Sequence, residues 1–82
     1  MASMAKVEIY TTDYCSYCRV AKSLLEEHRI PYEEINISQT PEMRDVLVGR
    51  TGEWTVPQIF IDGAYIGQDD ELREWIKSGR LA

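Results

Sequence analysis

The stretch Asp13-Tyr14-Cys15-Ser16-Tyr17-Cys18-Arg19-Val20-Ala21 holds the only two cysteines of this 82-residue chain. Before it runs Lys6-Val7-Glu8-Ile9-Tyr10, alternating apolar and polar as a half-buried strand does. After it, Val20-Ala21 and Leu24-Leu25 fall at helical spacing. The pair is therefore expected at a strand-to-helix junction, on the first turn of the helix. Residues at i and i+3 share a helix face, with α-carbons about 5–6 Å apart, within reach of a disulfide. The first turn also carries unpaired N–H groups and a partial positive charge, which favour a thiolate. Cys15 lies nearer those donors. It is assigned as the nucleophile, and Cys18 as the more buried, resolving thiol. A lone CxxC ahead of a helix in a small intracellular chain reads as a redox motif.

Two plainer readings compete. A zinc site needs two further ligands, and the chain offers only His28 nearby. A structural staple closing so short a loop gains little entropy.

The chain is sized for one domain, and its margin of buried surface is thin. Residues 1–5 are expected to form a disordered N-terminal segment, and 6–82 the domain. Met1-Ala2-Ser3-Met4-Ala5 lacks the apolar core of a signal peptide, and Ile59-Phe60-Ile61 is far too short to span a bilayer. The expected setting is the cytoplasm, where thiols are kept reduced. A net charge of −5 argues against nucleic acid, which wants a basic stripe. Any anion-binding site must be made locally.

Val7 and Ile9 share one strand face. From Ser16 to about Arg29 the pattern is helical, with Val20/Leu24 and Ala21/Leu25 as inner pairs. Ile30-Pro31 ends that helix. Tyr32 to Ile37 reads as a second strand, and the strand–helix–strand unit implies a parallel pair. Thr40-Pro41 reads as a capping hydroxyl followed by proline at the first helical position. Met43, Val46 and Leu47 give that helix its apolar stripe, and Gly49 and Gly52 its end. Pro57 must open a strand or lie at an edge. Ile59-Phe60-Ile61, Asp62-Gly63, Ala64-Tyr65-Ile66 is a hairpin signal. Asp69 to Ser78 forms the last helix, with Leu72, Trp75 and Ile76 inward and Asp69-Asp70-Glu71 in its acidic first turn. The expected order is β-α-β-α-β-β-α, an α/β fold with a four-stranded mixed sheet and three helices.

From Lys6 onward the chain resembles the glutaredoxins of the small bacterial dithiol type, in the thioredoxin fold. Three blocks carry the resemblance. They are Ile9-Tyr10-Thr11 ahead of Cys15-Ser16-Tyr17-Cys18, then Thr55-Val56-Pro57-Gln58-Ile59-Phe60-Ile61, then Ile66-Gly67-Gln68-Asp69-Asp70-Glu71-Leu72. The resemblance implies glutathione as co-substrate and Cys15 as the sulfur that forms the mixed disulfide. It implies Tyr17 flanking the tripeptide and a cis bond between Val56 and Pro57. The Val56 backbone would pair with the cysteinyl unit, Thr55 beside it. The N–H groups of Asp69 and Asp70 would receive the γ-glutamyl carboxylate, with the Asp70 side chain near its ammonium. Arg44 would reach the glycyl carboxylate.

Plainer readings stand beside these: Pro57 as a trans strand-opener, Asp69 and Asp70 as plain helix caps, and Arg44 as a solvated residue. Tyr14 and Tyr17 could simply shield the site. Three positions depart from the family pattern: Ser16 for a proline, Thr12 for a lysine, and Gln68 for a glycine.

The function expected is glutathione-dependent reduction of glutathionylated and disulfide-containing proteins by a monomer. The alternative is a scaffold or carrier in which two chains bridge a [2Fe–2S] cluster through Cys15 and glutathione. A redoxin of the same fold served by thioredoxin reductase is a third possibility, against which the Gln68-Asp69-Asp70 block argues.

Overall fold

A computed structural model describes residues 6–81, so the segment 1–5 lies outside the described residues. Strand β1 (Val7–Thr11) leads into helix α1 (Ser16–Glu27), then β2 (Glu33–Asn36) and α2 (Glu42–Thr51). The hairpin β3 (Gln58–Ile61) and β4 (Ala64–Gly67) follows, and α3 (Asp69–Lys77) closes the order. The strands form one mixed sheet, ordered β2-β1-β3-β4. β1 pairs parallel with β2 and antiparallel with β3, and β4 pairs antiparallel with β3. Order, strand number and parallel pair match the sequence reading.

Helices cover both faces of the sheet. Val7, Ile9, Ile59 and Ile61 pack with Ala21 and Leu25 of α1 and Leu72 of α3. On the other face Tyr10 and Phe60 pack with Ile37 and with Leu47 of α2. Tyr10 and Phe60 meet edge-on, with ring centroids 5.4 Å apart. Burial on both faces explains why Ile59-Phe60-Ile61 is apolar without alternation. Each such side chain contributes about 1.5–3 kcal/mol by leaving water.

Both helical stripes are narrower than their spacing suggested. Val20 is 38% and Val46 47% exposed. α1 seats Cys18, Ala21 and Leu25 on the core, and Val20 lies one step round the helix from Ala21. α2 buries Leu47 fully and Met43 only in part.

The helix ends also differ from expectation. α2 begins at Glu42, and Pro41 before it is already helical (φ −59°, ψ −25°). Thr40 supplies its carbonyl, not a capping hydroxyl, to the Met43 N–H at 2.9 Å. α1 stops at Glu27, ahead of Pro31. Arg29 takes a left-handed φ of 56°. Its N–H donates to the Glu26 carbonyl at 3.1 Å and the Ile30 N–H to Leu25 at 2.8 Å. That is a Schellman closure with arginine at the position glycine usually fills. The hairpin turn is as read, with φ 52° at Asp62 and 84° at Gly63.

Candidate active site

Antiparallel pairing sets Tyr10 of β1 opposite Gln58 of β3. The loop leaving β1 and the loop entering β3 therefore lie at the same end of the sheet. The first carries Cys15 and the second Val56–Pro57, whose peptide bond is cis.

Cys15 is the N-cap of α1, with extended backbone (φ −143°, ψ 106°). It thus precedes the first turn on which the sequence placed it. Its sulfur accepts from the backbone N–H of Cys18 at 3.1 Å, and its thiol donates to the Val56 carbonyl at 3.5 Å. Cys15 is half-buried and Cys18 only 1% exposed, and both are free thiols. Burial, reinforced by the neighbouring Cys15, pushes the Cys18 thiol up to about 12. Cys18 is therefore protonated near neutrality, and only Cys15 presents sulfur to solvent. Cys15 alone could ligate a group shared between two chains. His28 sits exposed at the far end of α1, too remote to complete a zinc site. Among the described residues, no group of three or more His, Cys, Asp and Glu converges to hold a metal. No helix of the described residues is long and apolar enough to cross a membrane.

Two hydrogen-bonded networks hold these loops, and sequence reading found neither. Asn36 Nδ2 donates to the Asp13 carboxylate at 2.8 Å. The Asp13 N–H donates to Ser38 Oγ at 2.8 Å, and the Ser38 N–H to Asn36 Oδ1 at 2.9 Å. The end of β2 thereby fixes the segment just before Cys15. On the other side Gln58, fully buried, donates through Nε2 to the carbonyls of Glu53 (2.8 Å) and Thr55 (3.0 Å). Its Oε1 accepts from Thr51 Oγ1 at 3.0 Å. The one available signal was a polar residue at the head of an apolar strand.

The remaining sequence candidates distribute around this pair of loops. Tyr17 stands 64% exposed on the first turn of α1. Arg44 reaches from α2 to the Trp54 carbonyl at 2.6 Å, two residues from Val56. Thr55 is exposed and Pro57 buried. Gln68 caps α3, and its Nε2 donates to Thr55 Oγ1, which brings the start of α3 against the Val56–Pro57 loop. Asp69 and Asp70 open that helix, the former half-buried, the latter exposed. A hollow of about 470 Å³ lies alongside, lined by Glu53, Tyr65, Gln68, Asp69, Asp70 and Glu71.

The glutaredoxin family model matches residues 7–66, from β1 through β4. The chain belongs to the glutaredoxin family. This glutaredoxin is 45% identical over 69 residues to glutaredoxin 3 of Escherichia coli (strain K12), covering 84% of the chain and 83% of that relative. It is 40% identical over 78 residues to a glutaredoxin of Pseudomonas aeruginosa, covering 95% of the chain and 93% of the relative. Its fold superposes on a crystal structure of a buckwheat glutaredoxin–glutathione complex with a TM-score of 0.85 at 30% identity, over 94% of the chain and 73% of that structure. As a glutaredoxin it is a thiol–disulfide oxidoreductase, and Cys15-Ser16-Tyr17-Cys18 is its redox-active CxxC.

Proposed function

We propose that this glutaredoxin uses glutathione to reduce protein–glutathione mixed disulfides and protein disulfides, with Cys15 as nucleophile. The observation that carries the reading is the setting of the Cys15 sulfur. It is open to solvent, receives a helix N–H from Cys18, and borders the Val56 backbone. A thiolate so placed attacks the glutathionyl sulfur in line, the bond to the client sulfur breaks, and the client leaves as its thiolate. A second glutathione thiolate attacks that sulfur in turn, releasing glutathione disulfide and restoring Cys15. With a protein disulfide, Cys18 loses its proton to displace the reduced client, leaving a Cys15–Cys18 disulfide for glutathione to reopen. The high proton affinity of Cys18 suits this role, because it does not compete as a nucleophile in the resting enzyme.

The reading extends to binding. The Val56 N–H and C=O would take the cysteinyl unit as an added strand, with Thr55 beside it and Pro57 behind. The first N–H groups of α3, at Asp69 and Asp70, would take the γ-glutamyl carboxylate. Tyr17 would flank the peptide, and Arg44, with guanidinium donors beyond its bond to Trp54, the glycyl carboxylate. The buckwheat complex supports glutathione as the ligand. A reduced dithiol suits the cytoplasm.

The test is turnover of a glutathionylated protein by two variants. Cys15→Ser is expected to abolish it. Cys18→Ser is expected to retain it while losing reduction of a protein disulfide. Full activity in Cys15→Ser overturns the assignment.

A further inference from the structure

The carboxamide of Gln68 joins two segments that approach each other from opposite sides of the site. It extends from the cap of α3 to Thr55 Oγ1, one residue before the Val56 carbonyl that receives the Cys15 thiol. The backbone of Gln68 is anchored from behind. Its N–H donates to Glu71 Oε1 at 2.8 Å, in a capping box. Glu71 can fold back that far only because Gly67 precedes, at φ 127°, where a Cβ would lie 2.5 Å from Glu71 Cγ. The main chain at Gln68 is thus fixed while its side chain stays half-exposed. Rotation about its side-chain bonds releases Thr55 together with the capping bond that the carboxamide accepts from the Glu71 N–H. The adjoining hollow of about 470 Å³, which Gln68 itself lines, has room for the freed carboxamide. The N–H groups of Asp69 and Asp70 lie just beyond, with no acceptor inside the helix.

We propose that Gln68 is a specificity-determining latch, closed onto Thr55 in the free enzyme and displaced by any thiol compound whose amino-acid end reaches the start of α3. The proposal rests on the glutathione reading. A γ-glutamyl group that runs from the Val56 backbone to the N–H groups of Asp69 and Asp70 spans the same two segments that the Gln68 carboxamide bridges, so its binding opposes the Gln68–Thr55 hydrogen bond. A mixed disulfide of cysteinylglycine has no γ-glutamyl group, ends short of α3, and leaves the latch shut. The latch therefore narrows the enzyme's preference for the full tripeptide.

The experiment compares KM and kcat for one client protein carrying glutathione or cysteinylglycine in disulfide linkage. The variants are Gln68→Gly and, from the opposite side, Thr55→Val. For the glutathionyl client, Gln68→Gly is expected to lower KM about fivefold at unchanged kcat, the factor that one net hydrogen bond commands. The cysteinylglycyl client is expected to show no change. Thr55→Val is expected to shift the ratio of the two KM values in the same direction, and adding Gln68→Gly to it to shift the ratio no further. A raised KM for the glutathionyl client in Gln68→Gly would mean that the carboxamide grips the ligand, and overturns the latch. Equal shifts for both clients indicate a helix cap only, and overturn it too. If the wild-type enzyme shows no preference for the glutathionyl client, the glutathione reading itself fails, a result distinct from either.

Discussion

The backbone N–H of Cys18 points at the sulfur of Cys15 from 3.1 Å. One cysteine thus caps the helix that buries the other, and burial is the main cause that raises the proton affinity of Cys18, with the charge of Lys22 acting more weakly in the opposite sense. At pH 7 one equivalent of iodoacetamide is expected to modify Cys15 alone, leaving Cys18 for reaction after denaturation. Peptide mapping by mass spectrometry checks this.

Cys18 also makes stability depend on alkaline pH. Its thiol is held protonated by burial, with its pKa raised from 9.0 to about 12. The folded chain therefore binds that proton more tightly than the unfolded chain. Its contribution is intact below pH 9 and falls as pH rises toward about 12. Cys18→Ala is expected to flatten the fall in urea midpoint between neutral and strongly alkaline buffer.

Glu34 acts at the acid end. The Thr11 hydroxyl donates to it at 2.7 Å and lowers its pKa from 4.5; burial opposes the shift, and Lys22 at 3.0 Å adds to it. The folded chain holds this proton less tightly than the unfolded one. The stability gained is present above pH 4.5 and lost as pH falls below it. Glu34→Gln is expected to be less stable than wild type at neutral pH, and the difference is expected to shrink on acid titration below pH 4.5.

Replacing Gln58 by leucine keeps the volume but removes three hydrogen bonds under the Val56–Pro57 loop. The expected loss is about 1–3 kcal/mol, as for buried polar groups left without partners. Urea denaturation gives the loss, and the KM for the glutathionylated client is expected to rise with it as the loop loosens.

Arg29 is the opposite case. An L-residue at a left-handed φ of 56° costs about 1–2 kcal/mol, which glycine avoids at the expense of a more flexible unfolded chain. Arg29→Gly is expected to raise stability by up to about 1 kcal/mol, or roughly 4–8 °C in Tm. Activity should be untouched, since α1 carries Cys15 at its other end.

What could be read in advance was local. The CxxC before a helical run, the Asp62-Gly63 turn and the inward Ile9 and Leu72 depend on near neighbours in sequence. Val20 and Val46 misled because a helical pattern leaves the phase of the buried stripe uncertain by one residue, and only packing against the sheet settles it. Arg29 carried no signal, since glycine was the cue for a left-handed closure. The networks of Asn36, Asp13 and Ser38 and of Gln58 were illegible, because polar side chains announce partners but not which loop will supply them. The cis bond before Pro57 came from the family resemblance; proline alone left both isomers open.

The register of β1 on β3 has a consequence for quality control in the cell. Because Tyr10 faces Gln58, the sulfur at residue 15 and the carbonyl at residue 56 arrive at one rim of the sheet. A slip of one residue would carry Val56, in the loop entering β3, about 3.4 Å along the strand direction and exchange the side chains that β3 sets into the two core layers. Mispaired copies would then be inert as well as unstable, so catalysis certifies that the strands have aligned.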